Sequence, residues 1–176
     1  MASFYINTKD LKDKIPSIRV RDEVYLSGTI YTARDAAHKK IKALIDAKEP
    51  LPFELDGACV YYAGPTPSRK GCPIGSCGPT TASRMDVYTP LFLENGLRAM
   101  IGKGQRSKDV CKSIEKNGAI YFCAIGGAGA LAAMCVKKVE VIAFEELGCE
   151  SVKKLTVENF PVLCAIDSYG GNIFER

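Results

Sequence analysis

The sequence contains one histidine, His38, in 176 residues. Among its eight cysteines, only Cys72 and Cys77 pair up in a Gly/Pro-rich loop, and no second pair at ligand spacing accompanies them. A zinc or cluster site held by this chain alone is therefore not expected, although Cys72 and Cys77 could ligate a metal or become oxidised. Cys59, Cys123, Cys135 and Cys164 sit in apolar surroundings, where a reduced thiol packs as a small hydrophobe. Residues Met1 to Ile6 show no basic region leading into an apolar run, so no signal peptide is read there. No apolar run reaches the length of a membrane span, and the expectation is a cytoplasmic protein. Repeats, low-complexity tracts and obvious linkers are also missing. The net charge of +4 is mild, and the lysines are interspersed with acids. That pattern carries no nucleic-acid footprint and suits anionic metabolites equally well.

What is present describes an ordinary soluble globular protein, 47% hydrophobic and 25% charged. The length suits one domain spanning 1–176 with a proper core. Residues 1–21 read as an early strand and a turn. Val24 to Tyr31 reads as a strand rich in β-formers, after which Thr32 is expected to cap a helix with Asp35 in a capping box. Ala33, Ala37, Ile41 and Leu44 mark that helix's buried face. Cys59 to Ala63 is a second strand, followed by the loop Gly64 to Gly78. A short helix follows Thr80-Thr81, and another begins at Thr89-Pro90 and stops at Asn95-Gly96. Ala99 to Ile101 is a short buried strand, and Ser107 caps a helix ending at Asn117-Gly118. Ala119 to Ile125 is apolar enough to be buried on both faces, and Val139 to Phe144 and Pro161 to Ile166 supply further strands. Strands interleaved with helices make the fold class α/β, in an order unlike that of a long doubly wound sheet.

Several segments carry chemistry. In Gly78-Pro79-Thr80-Thr81-Ala82-Ser83-Arg84-Met85-Asp86, two hydroxyls follow a fixed Gly-Pro turn, with a guanidinium close behind. That is a receptor for a small carboxylate or phosphate, or a capped helix with a surface arginine. Arg34 and His38, one helical turn apart, read as anion ligands near a helix start, or as a solvated arginine and a packed histidine. Lys103 in Gly102-Lys103-Gly104-Gln105-Arg106 offers a point charge beside an approachable backbone, or a basic surface turn. Gly127-Ala128-Gly129-Ala130-Leu131-Ala132 matches a dinucleotide fingerprint, with Glu145 at the ribose-binding position. Too little chain follows for a full dinucleotide fold, so close helix–strand packing beside a shared ligand pocket is the preferred reading. Asp167 reads as the start of a turn rather than the orienter of a basic ligand residue.

Taken together, these segments resemble the β subunit, or C-terminal domain, of the iron–sulfur-dependent class I fumarate hydratases and tartrate dehydratases. The motifs are Gly28-Thr29-Ile30-Tyr31-Thr32-Ala33-Arg34-Asp35-Ala36-Ala37-His38, Gly64-Pro65-Thr66-Pro67, Gly75 through Asp86, Gly102-Lys103-Gly104, and Gly126 through Leu131. Glu146 to Glu150 and Phe160-Pro161 through Asp167-Ser168 complete an ordered match over nearly the whole chain. The resemblance implies a single swivelling β/β/α domain. It also implies a partner α subunit carrying a [4Fe–4S] cluster with one iron open to substrate, and no cofactor on this chain. The implied reaction is reversible hydration of fumarate to malate. L(+)-tartrate dehydration by a similar β subunit is the alternative, and a stand-alone nucleotide or small-acid binding module, or a purely structural subunit, are the readings outside that class. By the same resemblance, Arg34, Arg84 and Lys103 hold substrate carboxylates with His38 in support. Thr80 transfers the proton beside Thr81, the isolated chain is inactive, and the complex is a heteromer, with a higher oligomer allowed. Cys72 and Cys77 depart from the family pattern, which needs no thiols there.

Overall fold

Short apolar runs punctuated by Gly and Pro turn into strands here, and the amphipathic stretches between them turn into helices on both sides of the sheet. A computed structural model describes residues 1–124 and 129–175. Strand β1 (Ser3–Asn7) leads through a helical segment that includes α1 (Leu11–Lys14) to β2 (Glu23–Thr32) and α2 (Asp35–Ala47). Then come β3 (Cys59–Tyr61), a short helical turn (Ala82–Met85), α3 (Thr89–Glu94), β4 (Ala99–Gly102), α4 (Lys108–Lys116) and β5 (Ile120–Ala124). The remainder is α5 (Gly129–Cys135), β6 (Val136–Ala143), a helical turn (Glu145–Glu150) and β7 (Val152–Ile166). The end of the strand expected to reach Ile125, and Gly126, Gly127 and Ala128 of the glycine-rich motif, lie outside the described residues.

The fold is α/β, with the sheet closed into a barrel-like ring. β2, β3, β4 and β5 run parallel to their neighbours. β7 is antiparallel to both β5 and β2 and joins the two ends of the row. β1 adds outside β2, and β6 outside β7. The period-two alternation of strands then sorts side chains into two cores. Cys59, Tyr61, Ala99, Ile101, Ile120 and Phe122 join Leu155, Phe160 and Val162 inside the ring. Val60, Tyr62, Met100 and Tyr121 point outward, under α2, α3 and α4. Each helix contributes the face its sequence periodicity marks, as with Ala37 and Ile41 of α2 and Val110 and Ile114 of α4. No helix among the described residues is long and apolar enough to cross a membrane.

Two sequence expectations change. Thr32 does not cap a helix: it is the last residue of β2, opposite Lys153 of β7, and its Oγ1 accepts the Lys153 N–H at 3.2 Å. Pairing with β7 outcompetes the local cap, and the helix starts at Asp35 behind an extended Arg34. The last strand is 15 residues long and begins at Val152, well before Pro161. Residues 152–157 pair with β6, and 162–166 pair with β5 on that same side. Pro161 falls in the gap between those neighbours, where a missing N–H is tolerated, and Asn159 beside it bends the strand with φ +49°. Opposite that bend, Gly28 adopts φ +113°, and a Cβ there would lie 2.5 Å from Thr8 Oγ1.

Candidate functional site

Parallel strands deliver their carboxyl ends to one rim, the usual place for a ligand in an α/β sheet. Here β2 ends just before Arg34, β3 leads into Tyr62-Ala63-Gly64, and β4 leads into Lys103. The segment after the long loop is stitched between the last two. Pro79 bridges Ala63, and Thr81 bridges Lys103. The Thr80 N–H donates to the Tyr62 carbonyl at 2.6 Å, and the Lys103 N–H donates to the Thr80 carbonyl at 3.3 Å. The Ala82 N–H returns to the Lys103 carbonyl at 2.9 Å. Thr80 and Thr81 therefore form a strand-like step alongside Lys103, followed by the turn that carries Arg84. Thr80 is half-buried, whereas Thr81, Arg84 and Lys103 are exposed.

The arginines meet through an acid. Arg84 Nε donates to Asp35 Oδ1 at 2.9 Å, and Arg34 Nη2 lies 3.8 Å from Asp35 Oδ2. On its other side, Arg34 Nε lies 3.7 Å from Glu150 Oε1. Asp35 is the first residue of α2, where the helix dipole favours an anion. Arg34 lies flat across the exit of β3 because residue 64 is glycine. A Cβ at Gly64 would stand 3.0 Å from Arg34 Nη1 and 3.1 Å from its Cδ. Arg34, Arg84, Lys103 and the Thr80-Thr81 step are thus carried by neighbouring segments of one surface.

His38 lies beneath that surface, fully buried. Its Nδ1 is 2.8 Å from the Arg34 carbonyl. A carbonyl only accepts, so Nδ1 carries the proton and Nε2 is bare. The ring stacks on Phe92 at 4.8 Å and meets Tyr62 edge-on at 5.4 Å. Burial lowers the His38 pKa from 6.5 to about 4, with the Arg106 charge acting in the same direction. The Arg34 carbonyl and Asp35 oppose the shift. His38 is therefore a neutral clamp on the Arg34 backbone.

Arg106, read in the sequence as part of a basic turn, has a side chain 0% exposed. It donates to Asp86 Oδ1 at 2.6 Å and to Thr89 Oγ1 at 2.7 Å, and lies over the Tyr62 and Tyr121 rings. Asp86 Oδ2 also accepts the Ser107 N–H at 2.7 Å, tying the Lys103 loop to the Arg84 turn. Arg106, Asp35 and Glu150 are residues to which the sequence reading gives no part in the site: it makes Asp35 a capping-box acid and Arg106 part of a basic turn. The available signal is that Asp35, Asp86, Arg106 and Glu150 all lie inside segments already marked in the sequence.

Other sequence candidates fall elsewhere. Cys72 is exposed while Cys77 is buried, its thiol pushed up to about 12 by burial, so the two share no environment. Asp167 organises a turn: it accepts the N–H groups of Val20, Tyr169 and Gly171. Glu145 is exposed at the start of the turn after β6. Of the glycine-rich motif, Gly129 accepts the Cys77 N–H at 3.0 Å, so α5 packs close behind the loop that leads to Thr80.

A barrel-like ring of strands with a cationic, hydroxyl-bearing rim defines this α/β domain. The chain matches the family model described as Fumarase C-terminus over residues 2–176 and belongs to that family. It is 44% identical over 159 residues to Fumarate hydratase 1, mitochondrial, of Leishmania major, covering 89% of this chain and 29% of that protein. It is 40% identical to Fumarate hydratase class I, anaerobic, of Escherichia coli K12, covering 96% of this chain and 31% of the relative. It is also 35% identical to the L(+)-tartrate dehydratase subunit beta of Escherichia coli K12, covering 96% of this chain and 83% of that subunit. The chain thus spans less than a third of the length of the fumarate hydratases it matches.

Proposed function

We propose that this chain is the β subunit of a two-subunit hydro-lyase that reversibly adds water to fumarate to give malate. The observation that carries the reading is the meeting of Arg34, Arg84 and Lys103 with Thr80 and Thr81 on the rim of β2, β3 and β4. Taking a proton from the carbon next to a carboxylate leaves negative charge that spreads onto the carboxylate oxygens. Fixed cations lower that barrier most effectively in a site closed to water. Arg34 and Arg84 hold one substrate carboxylate with planar forks, and Lys103 supplies a point charge. The Thr80 hydroxyl moves the proton, with Thr81 beside it. A threonine is a poor base at its ordinary pKa, and the surrounding cations favour its ionised form. His38 supports the site from below through the Arg34 carbonyl.

The described residues do not fit an iron–sulfur cluster. No three His, Cys, Asp or Glu side chains among them are grouped to hold a metal, and burial raises the pKa of the Cys59, Cys77 and Cys164 thiols. We assign the [4Fe–4S] cluster to a partner α subunit, the substrate to the small dicarboxylates, and the complex to the cytoplasm. A second reading, dehydration of L(+)-tartrate, is favoured by length, since the chain covers 83% of a separate tartrate dehydratase β subunit.

The test is an oxygen-free pull-down of the chain from its native cells, assayed for fumarate hydration and L(+)-tartrate dehydration. The expected result is a brown partner with one of the two activities, reduced about a hundredfold or more by Arg84→Ala. A colourless chain without partner or activity overturns the assignment.

A further inference from the structure

Among the described residues five buried side-chain atoms have no hydrogen-bond partner: His38 Nε2 and Tyr62 Oη beneath the rim, and Arg34 Nε, Asp35 Oδ2 and Glu150 Oε1 upon it. Buried polar atoms are normally satisfied, and the three upon the rim lie on residues already facing one another. The Arg34 guanidinium is suspended between two carboxylates, 3.8 Å from Asp35 and 3.7 Å from Glu150, just outside bonding reach of each. Arg84, by contrast, is bonded to Asp35 through Nε alone. Its side chain is 51% exposed, with no other hydrogen bond among the described residues.

We infer that Asp35 and Glu150 are positioning residues that set Arg34 and Arg84 as a paired fork for one substrate carboxylate. The inference rests on the hydro-lyase reading and deepens it. Asp35 bonds Arg84 and faces Arg34 at 3.8 Å, so it sets the spacing between them. It engages only the Nε edge of Arg84, which keeps the Nη edge of that fork for a ligand. Glu150 restrains Arg34 from the opposite side. Its turn is pinned by Lys153, whose Nζ donates to the Gly148 and Cys149 carbonyls at 3.2 and 3.1 Å and to Ser151 Oγ at 2.7 Å. Lys40 anchors the same turn to α2 through Glu146. A carboxylate arriving at Arg34 needs only a small shift of the guanidinium to bring Nε within reach of Glu150. Ligand binding and satisfaction of the buried atoms then occur together.

The test is steady-state kinetics of the assembled enzyme, with whichever of fumarate and L(+)-tartrate the wild type turns over. D35N and E150Q keep side-chain size and remove charge. The expected result is a KM about tenfold higher in D35N and raised severalfold in E150Q, with kcat within about twofold. D35N is also expected to cost much less in an R84A background, because the two residues act together. R84A alone separates the two failures. An R84A enzyme with wild-type kinetics overturns the reading of the site and the positioning proposal with it. A crippled R84A enzyme alongside unaltered KM in D35N and E150Q overturns the positioning proposal alone. So does a loss of kcat and melting temperature in D35N at unchanged KM, the signature of a structural role. E150Q carries the test if D35N does not assemble.

Discussion

A single missing methyl group lets Arg34 lie where it does. Gly64→Ala would place a Cβ 3.0 Å from Arg34 Nη1, and the guanidinium must move. The expected outcome in the assembled enzyme is a KM raised about tenfold, with melting temperature nearly unchanged. Wild-type KM in that variant would mean that Arg34 does not hold substrate. His38 makes a separate prediction. Its native pKa of about 4 lies below the ordinary 6.5. Between those values the unfolded chain binds a proton that the native chain refuses. Its contribution to stability is therefore complete above pH 6.5 and falls as the pH drops to about 4, by about 3 kcal/mol. Urea unfolding of His38→Asn across that range should show a correspondingly flatter pH dependence. Equal slopes in both proteins would contradict the burial argument. The cations and hydroxyls of the rim were legible because Arg34, Thr80, Arg84 and Lys103 each follow a recognisable strand end or turn. Asp35 and Glu150 were not, because an acid at a helix start or in an acidic turn has an ordinary local explanation. Their pairing with Arg34 comes from elements far apart in sequence.

At the scale of elements, helix boundaries with local chemistry were readable. Ser107 caps α4 as expected, its Oγ accepting the Val110 N–H at 3.3 Å, and α3 opens at Thr89-Pro90. Boundaries set by tertiary pairing were not, and both Thr32 and the start of β7 changed for that reason. Arg106 illustrates the same limit. Between Gly104 and Ser107 it reads as surface, yet Asp86, Thr89 and two tyrosine rings bury it. Asp86→Ala would leave that charge enclosed without its partner, at a cost of about 3–5 kcal/mol. The expected drop in Tm is roughly 10 °C, followed by circular dichroism. A change of a degree or two would show that the Lys103 loop and the Arg84 turn are held by other contacts.

For the whole molecule, closure of the ring by β7 makes one unit of the strands and both cores. We expect residues 1–176 to unfold in one cooperative transition. Phe160, 1% exposed and edge-on to Tyr61 at 5.3 Å, packs from β7 into the ring interior. Phe160→Ala should cost about 3–5 kcal/mol and shift far- and near-ultraviolet transitions together. Separate transitions would divide the chain into two folding units.

That closure also has a temporal side. β2 leaves the ribosome well before its antiparallel partner, which lies more than a hundred residues further along the chain, in the register of Glu23 with Leu163 and Thr32 with Lys153. Until β7 appears, β2 and β5 have no partner across the gap, and the Thr32 hydroxyl lacks the Lys153 N–H that it accepts. The ring is therefore closed only once β7 has been made. A nascent chain stalled before residue 152 carries Arg34, Arg84 and Lys103 without the strand that closes the ring beneath them.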